Sequence, residues 1–143
     1  MNLEEAEDTL KGKVKLVEGE SQQLSFPDQS FDFVFAKGSI HHNTWEEIQQ
    51  SFREVARVLR EGGHFLFQCR SPKDPALINS KRITDVVGIT AQDPNKEGAN
   101  EHYFTEEEIR RLGKENGFEI VVGPEEIIKE DGNARFWVVF RKI

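Results

Sequence analysis

Two short runs of almost wholly apolar and aromatic residues most constrain what this chain can fold into. Residues 31–36 read FDFVFA, and residues 64–69 read HFLFQC. Runs of this length and composition are typical of buried strands, and the first suits a central strand covered on both faces. Between them, apolar residues recur at helical spacing from about Trp45 to Arg60. This alternation predicts an α/β sheet with parallel central strands.

The helix between the two runs has recognisable ends. Thr44 and Glu47 have the spacing of a capping box, in which each side chain binds the other residue's backbone N–H. Arg57 lies where a cation offsets the negative end of the helix dipole. The Gly62-Gly63 pair is expected to end the helix and turn the chain into the second strand.

The C-terminal part predicts another helix and a hairpin. Thr105–Asn116 begins with a second capping box, and Gly117 is expected to follow its end. Strands are predicted over 118–122 and 134–141, joined by a turn at 131–133. A hairpin requires the last strand to run antiparallel to its neighbour.

Three further elements are predicted from weaker patterns. Residues 2–11 have the spacing of a short amphipathic helix, and residues 13–18 suit a strand. Residues 76–87 are interpreted as a helix followed by a loop. Residues 1–143 are thus expected to form a single α/β domain, whose mixed sheet has parallel central strands and a C-terminal antiparallel hairpin.

Composition excludes several classes of function. The net charge is −7, from 19 Lys and Arg against 26 Asp and Glu, and no basic run is available for nucleic-acid binding. No window is apolar enough to span a membrane. The first residues, MNLEEAEDTL, do not resemble a secretory signal, so a cytoplasmic location is expected. Cys69, the only cysteine, is expected to be a small buried residue and not a nucleophile.

Several segments, in order, carry a family resemblance. They read LEEAEDTLKGKVKLVEGES, then VEGESQQLSFPDQSFDFVFAKGSIHH, then REVARVLREGGHFLF, then EHYFTEEEIRRLGKENGFEIV. Together they resemble class I S-adenosylmethionine-dependent methyltransferases that act on small molecules. The resemblance covers nearly the whole chain except roughly residues 71–100. It implies a Rossmann-like fold, S-adenosylmethionine as cofactor and a small-molecule methyl acceptor.

The sequence also departs from that family. The family's glycine-rich turn after its first strand, and the acid that binds the ribose hydroxyls, have no counterpart here. The chain therefore resembles the second part of the fold and is expected to be incomplete for cofactor binding on its own. The missing part could also have been removed or lie on another chain.

The resemblance implies cofactor contacts at six positions: Glu20, Ser21, Ala36, Lys37, His41 and His42. Glu20 would accept a hydrogen bond from the adenine amino group, and Ser21 would offer its backbone N–H to the ring. Ala36 and Lys37 would line the methionine end. His41 and His42 would face the cleft in which the methyl group is transferred.

Four of these positions also have a simpler interpretation. Glu20 could be a solvated loop carboxylate, and Lys37 could contact an anionic group or simply be solvated. His41 and His42 could suggest a metal pair or a general base. No ligand stands at suitable spacing, so no metal is expected, and packing of one histidine at the helix start is favoured.

Two functions remain open at this point. The first is methyl transfer from S-adenosylmethionine to a small molecule, and the second is a non-catalytic methyltransferase-like domain used for binding or dimerisation. Without the family's first strands, one edge of the 31–36 strand would be bare, and a bare apolar edge favours association. We expect either the 13–18 strand or a second chain to pair there, so a homodimer or a partner chain is predicted.

Overall fold

The fold is known from a computed structural model, which describes residues 17–40, 44–77, 81–84, 89–92 and 100–143. Its helices are α1 (Trp45–Val58) and α2 (Glu106–Glu115), with a short 3₁₀ turn at Pro75–Leu77. Its strands are β1 (Phe31–Lys37), β2 (Leu59–Arg70), β3 (Lys81–Thr84), β4 (Ile89–Gln92), β5 (Asn100–Tyr103), β6 (Phe118–Ile128) and β7 (Ala134–Lys142).

One mixed sheet contains these strands. The order β3-β4-β5-β2-β7-β6 runs across it, and β1 pairs with β2. β1 and β2 are parallel, whereas β7 is antiparallel to both β2 and β6. The predicted sheet, with parallel central strands and a C-terminal antiparallel hairpin, is therefore confirmed.

The Gly62-Gly63 pair does not end α1, which is a correction to the prediction. The helix ends at Val58, and Leu59 already has extended backbone angles and starts β2. A Cβ on Gly63 would lie 2.8 Å from the Arg60 carbonyl oxygen and 3.0 Å from that of Asp32. The pair is needed where β2 passes close to β1, beside a shift in their register.

One face of the sheet is covered by the two helices. Phe52 of α1 makes edge-on contacts with Phe65 and Phe67 of β2, with ring centroids 5.4 and 5.0 Å apart. Such pairs add to the free energy of burying the rings. The same core contains Ile48, Val55, Ile109, Leu112, Val138 and Phe140. Cys69 is fully buried here, as predicted, and burial raises the pKa of its thiol well above the usual range.

The opposite face of the sheet is largely open. Phe33 and Phe35 alternate with core residues along β1, and each is 53% exposed. The prediction that 31–36 is covered on both faces is therefore wrong for the described residues. Among them, only β2 pairs with β1, so the other edge of β1 has no described neighbour.

The helix predicted over 76–87 is also wrong for the part of that stretch that the structure describes. There, Pro75–Leu77 is a 3₁₀ turn, and Lys81–Thr84 is a strand that pairs antiparallel with Ile89–Gln92. The stretch contains Ile83, Thr84, Val86 and Val87, whose β-branched side chains favour strands. The helix predicted over 2–11 lies outside the described residues, as does most of the 13–18 strand.

The C-terminal predictions hold. α2 has the predicted capping box between Thr105 and Glu108, and Gly117 follows it with a φ of 76°. The β6–β7 hairpin closes with a hydrogen bond from the Lys129 N–H to the Asn133 carbonyl, 2.9 Å long. In the part of the chain that is described, no helix is long and apolar enough to cross a membrane.

Gly113 of α2 provides a test of the core packing. A Cβ there would lie 2.5 Å from Phe140 Cε1. Phe140 cannot move aside easily because its ring packs against Phe65 and Phe118, at centroid distances of 5.9 and 5.4 Å. Alanine normally gains about 1 kcal/mol over glycine inside a helix. Overpacking a core costs about 1–3 kcal/mol of stability, and we expect this cost to exceed the gain in helix propensity.

We therefore expect Gly113→Ala to lower the free energy of unfolding, measured by urea denaturation followed by circular dichroism. The control is Lys114→Ala on the exposed side of α2, which should change stability by only a few tenths of a kcal/mol. A Gly113→Ala variant more stable than the wild type would contradict this account of the core.

Candidate active site

The loop that carries Glu20 and Ser21 is held by one polar side of α1. The Ser21 and Ser51 hydroxyls are 2.9 Å apart, and Gln22 Nε2 donates to Glu47 Oε2 at 2.9 Å. Glu47 is also the N3 member of the capping box. Hydrogen bonds from the Thr44 side chain and backbone lower the pKa of Glu47, so this carboxylate stays ionised and available to the loop.

Arg57 fastens the rest of this loop. Its Nη1 donates to the Phe26 carbonyl at 2.7 Å and to Asp28 Oδ1 at 2.9 Å, and its Nη2 donates to the Leu24 carbonyl at 2.9 Å. Glu54 accepts from Arg57 Nε at 2.9 Å and from the Leu24 N–H at 2.7 Å. The Arg57 side chain lowers the pKa of Glu54, so the pair remains charged.

Sequence reasoning missed this role of α1. It explained Arg57 by the helix dipole and assigned nothing to Ser51 or Glu54. The available signal was the spacing of Glu47, Ser51 and Glu54, which lie four and three residues apart and therefore share one side of the helix. The partners of that side, 25 to 33 residues earlier in the chain, are apparent only in the folded structure.

The fastened loop forms one wall of a groove at the carboxyl end of β1. Glu20, Ser21, Phe35 and Ser39 line a groove of about 510 Å³, together with Val17, Gly19 and residues 23–26. Its volume lies within the range of about 300–1,000 Å³ that small-molecule sites occupy. The structure therefore brings the predicted residues Glu20 and Ser21 together at the edge where ligands bind in open α/β sheets.

The lining of the groove fits the adenine end of the cofactor implied by the resemblance. Among the described residues, no group donates a hydrogen bond to the Glu20 carboxylate, so it is free to accept one from an amino group. Val17 and Phe35 expose 44% and 53% of their surface and offer apolar contact to a flat ring. The groove thus supplies both an apolar wall and a carboxylate acceptor.

The other predicted positions are not gathered in this groove. Ala36 is only 8% exposed and belongs to the hydrophobic core. Lys37 lines a separate cleft of about 330 Å³, together with Gly38, Gln68, Arg70, Lys129, Asn133 and Arg135. His41 and His42 lie outside the described residues, and the roles implied for them stay predictions.

The N-terminal part of the chain is similar in sequence to methyltransferases. A family model described as a methyltransferase domain matches residues 1–67. The uncharacterized methyltransferase YcgJ of Bacillus subtilis is 38% identical over 65 residues, which cover 45% of this chain and 25% of YcgJ. The chain spans 15–25% of the length of three curated relatives that it matches.

Solved structures extend the likeness to almost the whole chain. The PH0226 protein of Pyrococcus horikoshii superposes with a TM-score of 0.70 at 25% identity, covering 98% of this chain and 65% of that one. A Burkholderia thailandensis N1-methyltransferase, solved with 1,6-didemethyltoxoflavin and S-adenosylhomocysteine, gives a TM-score of 0.73 at 17% identity. That match covers 97% of this chain and 55% of the other, and at this identity it concerns the fold alone.

The hydrogen bonds of Arg57 to the loop, here called the arginine clamp, can be tested directly. In Arg57→Ala the carbonyls of Leu24 and Phe26 lose their donor, and Glu54 loses its cation. We expect a lower melting temperature and faster amide hydrogen exchange at Leu24, whose N–H bonds to Glu54. Arg53→Ala is the matched control, because Arg53 lies on the same helix and bonds only to Gln50 among the described residues. Unchanged exchange at Leu24 in Arg57→Ala would show that the clamp does not hold the loop.

Proposed function

We propose that this chain is part of a class I S-adenosylmethionine-dependent methyltransferase, that it binds the adenine end of S-adenosylmethionine in the Glu20 groove, and that it serves methyl transfer to a small molecule. The cofactor and the reaction are those of the family, and their assignment to this chain is the proposal. The methyl acceptor would lie on the other side of the β1 end, in the cleft lined by Lys37.

One observation carries the proposal. Ser39 lines the groove, whereas Lys37 and Gly38 line the cleft. Two residues of extended chain span at most about 7 Å, so a ligand in the groove and one in the cleft would be neighbours. Methyl transfer depends mainly on holding two reactants close together and correctly oriented, and it needs few catalytic groups. Adjacent sites on one strand end meet that need.

The chain's own residues would then act by binding and positioning. The Glu20 carboxylate would accept the hydrogen bond of the adenine amino group, and the Ser21 backbone would donate to the ring. Arg57 and the polar side of α1 would hold both residues in place through the loop. When bound, S-adenosylmethionine supplies a methyl group on a positively charged sulfur, which a lone pair of the acceptor can attack.

A second candidate is a non-catalytic methyltransferase-like domain. Within the 143 residues there is no glycine-rich turn of the Gly-x-Gly-x-Gly type, so the binding of the cofactor by these residues has to be tested directly. Such a turn lets the backbone approach the cofactor closely. In this second candidate the groove would be a remnant, and neither S-adenosylmethionine nor S-adenosylhomocysteine would bind.

Calorimetric titration with S-adenosylhomocysteine tests the proposal. We expect binding, weakened about tenfold or more in Glu20→Ala, because a hydrogen bond to a charged group contributes about 1.5–3 kcal/mol. Glu18→Ala is the matched control, since Glu18 is an exposed carboxylate two residues away that does not line the groove.

Each result decides between the two candidates. Micromolar binding that depends on Glu20 supports the enzyme and contradicts the non-catalytic domain. Absence of binding at millimolar S-adenosylhomocysteine would contradict the enzyme. Binding that Glu18→Ala and Glu20→Ala weaken equally would place the cofactor outside the groove.

We also propose that a second copy of the chain pairs with the free edge of β1. The support is the exposure of Phe33 and Phe35 beside an edge without a described neighbour. Sedimentation should then give twice the mass of one chain, reduced to a single mass by Phe33→Lys. Val121→Lys on β6 is the control, because Val121 is equally exposed at 52% but lies far across the sheet. A wild-type mass of one chain would contradict the dimer.

A further inference from the structure

We propose that the cleft beside β1 binds an oxyanion, a carboxylate or a phosphate, on the small molecule that is methylated. Its cationic lining is Lys37, Arg70, Lys129 and Arg135. The inference deepens the proposed function, and its assignment to the methyl acceptor rests on it. The binding of an anion in the cleft stands on its own evidence.

The charge of the cleft is opposite to that of the whole chain. Four cationic side chains line it, whereas the chain carries a net charge of −7. Arg70 is paired with Glu101, and Arg135 with Asp74. Lys37 and Lys129 form no ion pair with any described residue. Asp131 interacts electrostatically with Lys129 and Arg135, so the four cations of the cleft face three carboxylates and remain in excess. A concentration of one sign in a concave site attracts a ligand of the opposite sign.

One buried donor in the cleft lacks a partner, and a second donor lines the cleft without one. The second is the side-chain amide of Gln68, which forms no hydrogen bond with the described residues. The Nε of Arg70 is buried and is likewise without a partner in the described structure. Polar groups in such positions are costly unless something satisfies them. Both groups can donate to the oxygens of an anion, and Arg70 can do so with its charge.

The two arginines of the cleft, Arg70 and Arg135, are each held in position by a buried carboxylate. Asp74 accepts the backbone N–H of Ala134 at 3.0 Å and that of Ala76 at 3.0 Å, and it binds Arg135 at 2.5 Å. Burial alone would raise the pKa of Asp74, but these hydrogen bonds and the arginine lower it overall, so it remains ionised. Glu101 binds Arg70 and also accepts from the Tyr103 hydroxyl at 3.1 Å. The arginines are thus oriented before a ligand arrives.

Strand register explains why these side chains meet. Lys37, Gln68 and Trp137 are neighbours across β1, β2 and β7, and Arg70 pairs with Arg135 in the next row of the same face. The Trp137 ring lies 6.0 Å from Lys37 Nζ and 6.5 Å from the Phe35 ring. The cleft therefore combines cations with an adjoining aromatic surface, which suits a small organic anion with an apolar body.

Amide NMR titration of the 143-residue chain provides the test, because it reports weak binding residue by residue. The probes are benzoate and phenyl phosphate, which distinguish the two oxyanions, with benzyl alcohol as the neutral counterpart. We expect shifts at the Gln68 side-chain amide and at Lys37 and Lys129 with at least one anion, and at least tenfold weaker binding of benzyl alcohol. Preference for benzoate or for phenyl phosphate identifies the acceptor's anionic group.

Variants test the residues that carry the inference. Lys37→Gln and Lys129→Gln should each weaken anion binding about three- to tenfold, whereas Lys114→Gln, an exposed lysine on α2, should not. Gln68→Leu should weaken binding without lowering the melting temperature, since it replaces an unpartnered amide with an apolar group of similar size. A loss of stability without a change in affinity would assign Gln68 a structural role and remove it from the site.

Further outcomes separate this inference from the proposed function. Anion binding without any binding of S-adenosylhomocysteine would keep the anion site and refute the cofactor groove. Displacement of benzoate or phenyl phosphate by S-adenosylhomocysteine would show that the cleft takes the carboxylate of the cofactor, and would overturn the acceptor assignment. Equal affinity for benzyl alcohol, or anion binding unaffected by Lys37→Gln and Lys129→Gln, would overturn the inference entirely.

Discussion

Lys37 of β1 lies beside Gln68 of β2 in a parallel register, and the positions of both candidate sites depend on this pairing. Because the two strands run in the same direction, their carboxyl ends reach the same edge of the sheet. Ser39, just after β1, then lies in the groove, and Lys37, at the end of β1, lies in the cleft. Arg70, at the end of β2, also lies in the cleft. A slip of one residue would send Gln68 and Arg70 to the covered face.

The two sides of α1 have different roles, one in the core and one at the groove. Its apolar side packs Ile48, Phe52 and Val55 against the sheet and closes the core. Its polar side holds the Glu20–Asp28 loop through Ser51, Glu54 and Arg57. A change that weakens the packing of α1 would therefore also displace the groove, so the stability of the core and the geometry of the site are linked in this molecule.

The two faces of the sheet have different roles. The covered face is built from phenylalanine rings and is closed by the helices. The open face carries Phe35 and Trp137, with the cationic side chains at its carboxyl end. A chain with net charge −7 concentrates cations at this position only because strands distant in sequence are adjacent in the sheet. The charge of the whole chain gives no indication of it.

Elements with strong local signals are predictable from the amino-acid sequence. The apolar runs gave β1 and β2, the capping boxes at Thr44 and Thr105 located both helices, and Gly117 ended the second. These signals act between residues a few positions apart, and so do the motifs that indicated the family. Residues 81–84 form a strand and not the predicted helix, because a short run with β-branched residues fits either element and the strand that pairs with it decides.

The roles of the charged and polar residues depend on contacts that form only in the folded chain. Arg57 fits a helix dipole in sequence, but it holds a loop 29 to 33 residues away. In the sequence Lys37 is an isolated lysine, whereas in the structure the strand register places Arg70 and Arg135 in the same cleft. This difference follows from the range of the interactions. Helix periodicity and capping act over one or two turns of chain, whereas electrostatic fields and cavities are made by side chains brought together from distant segments.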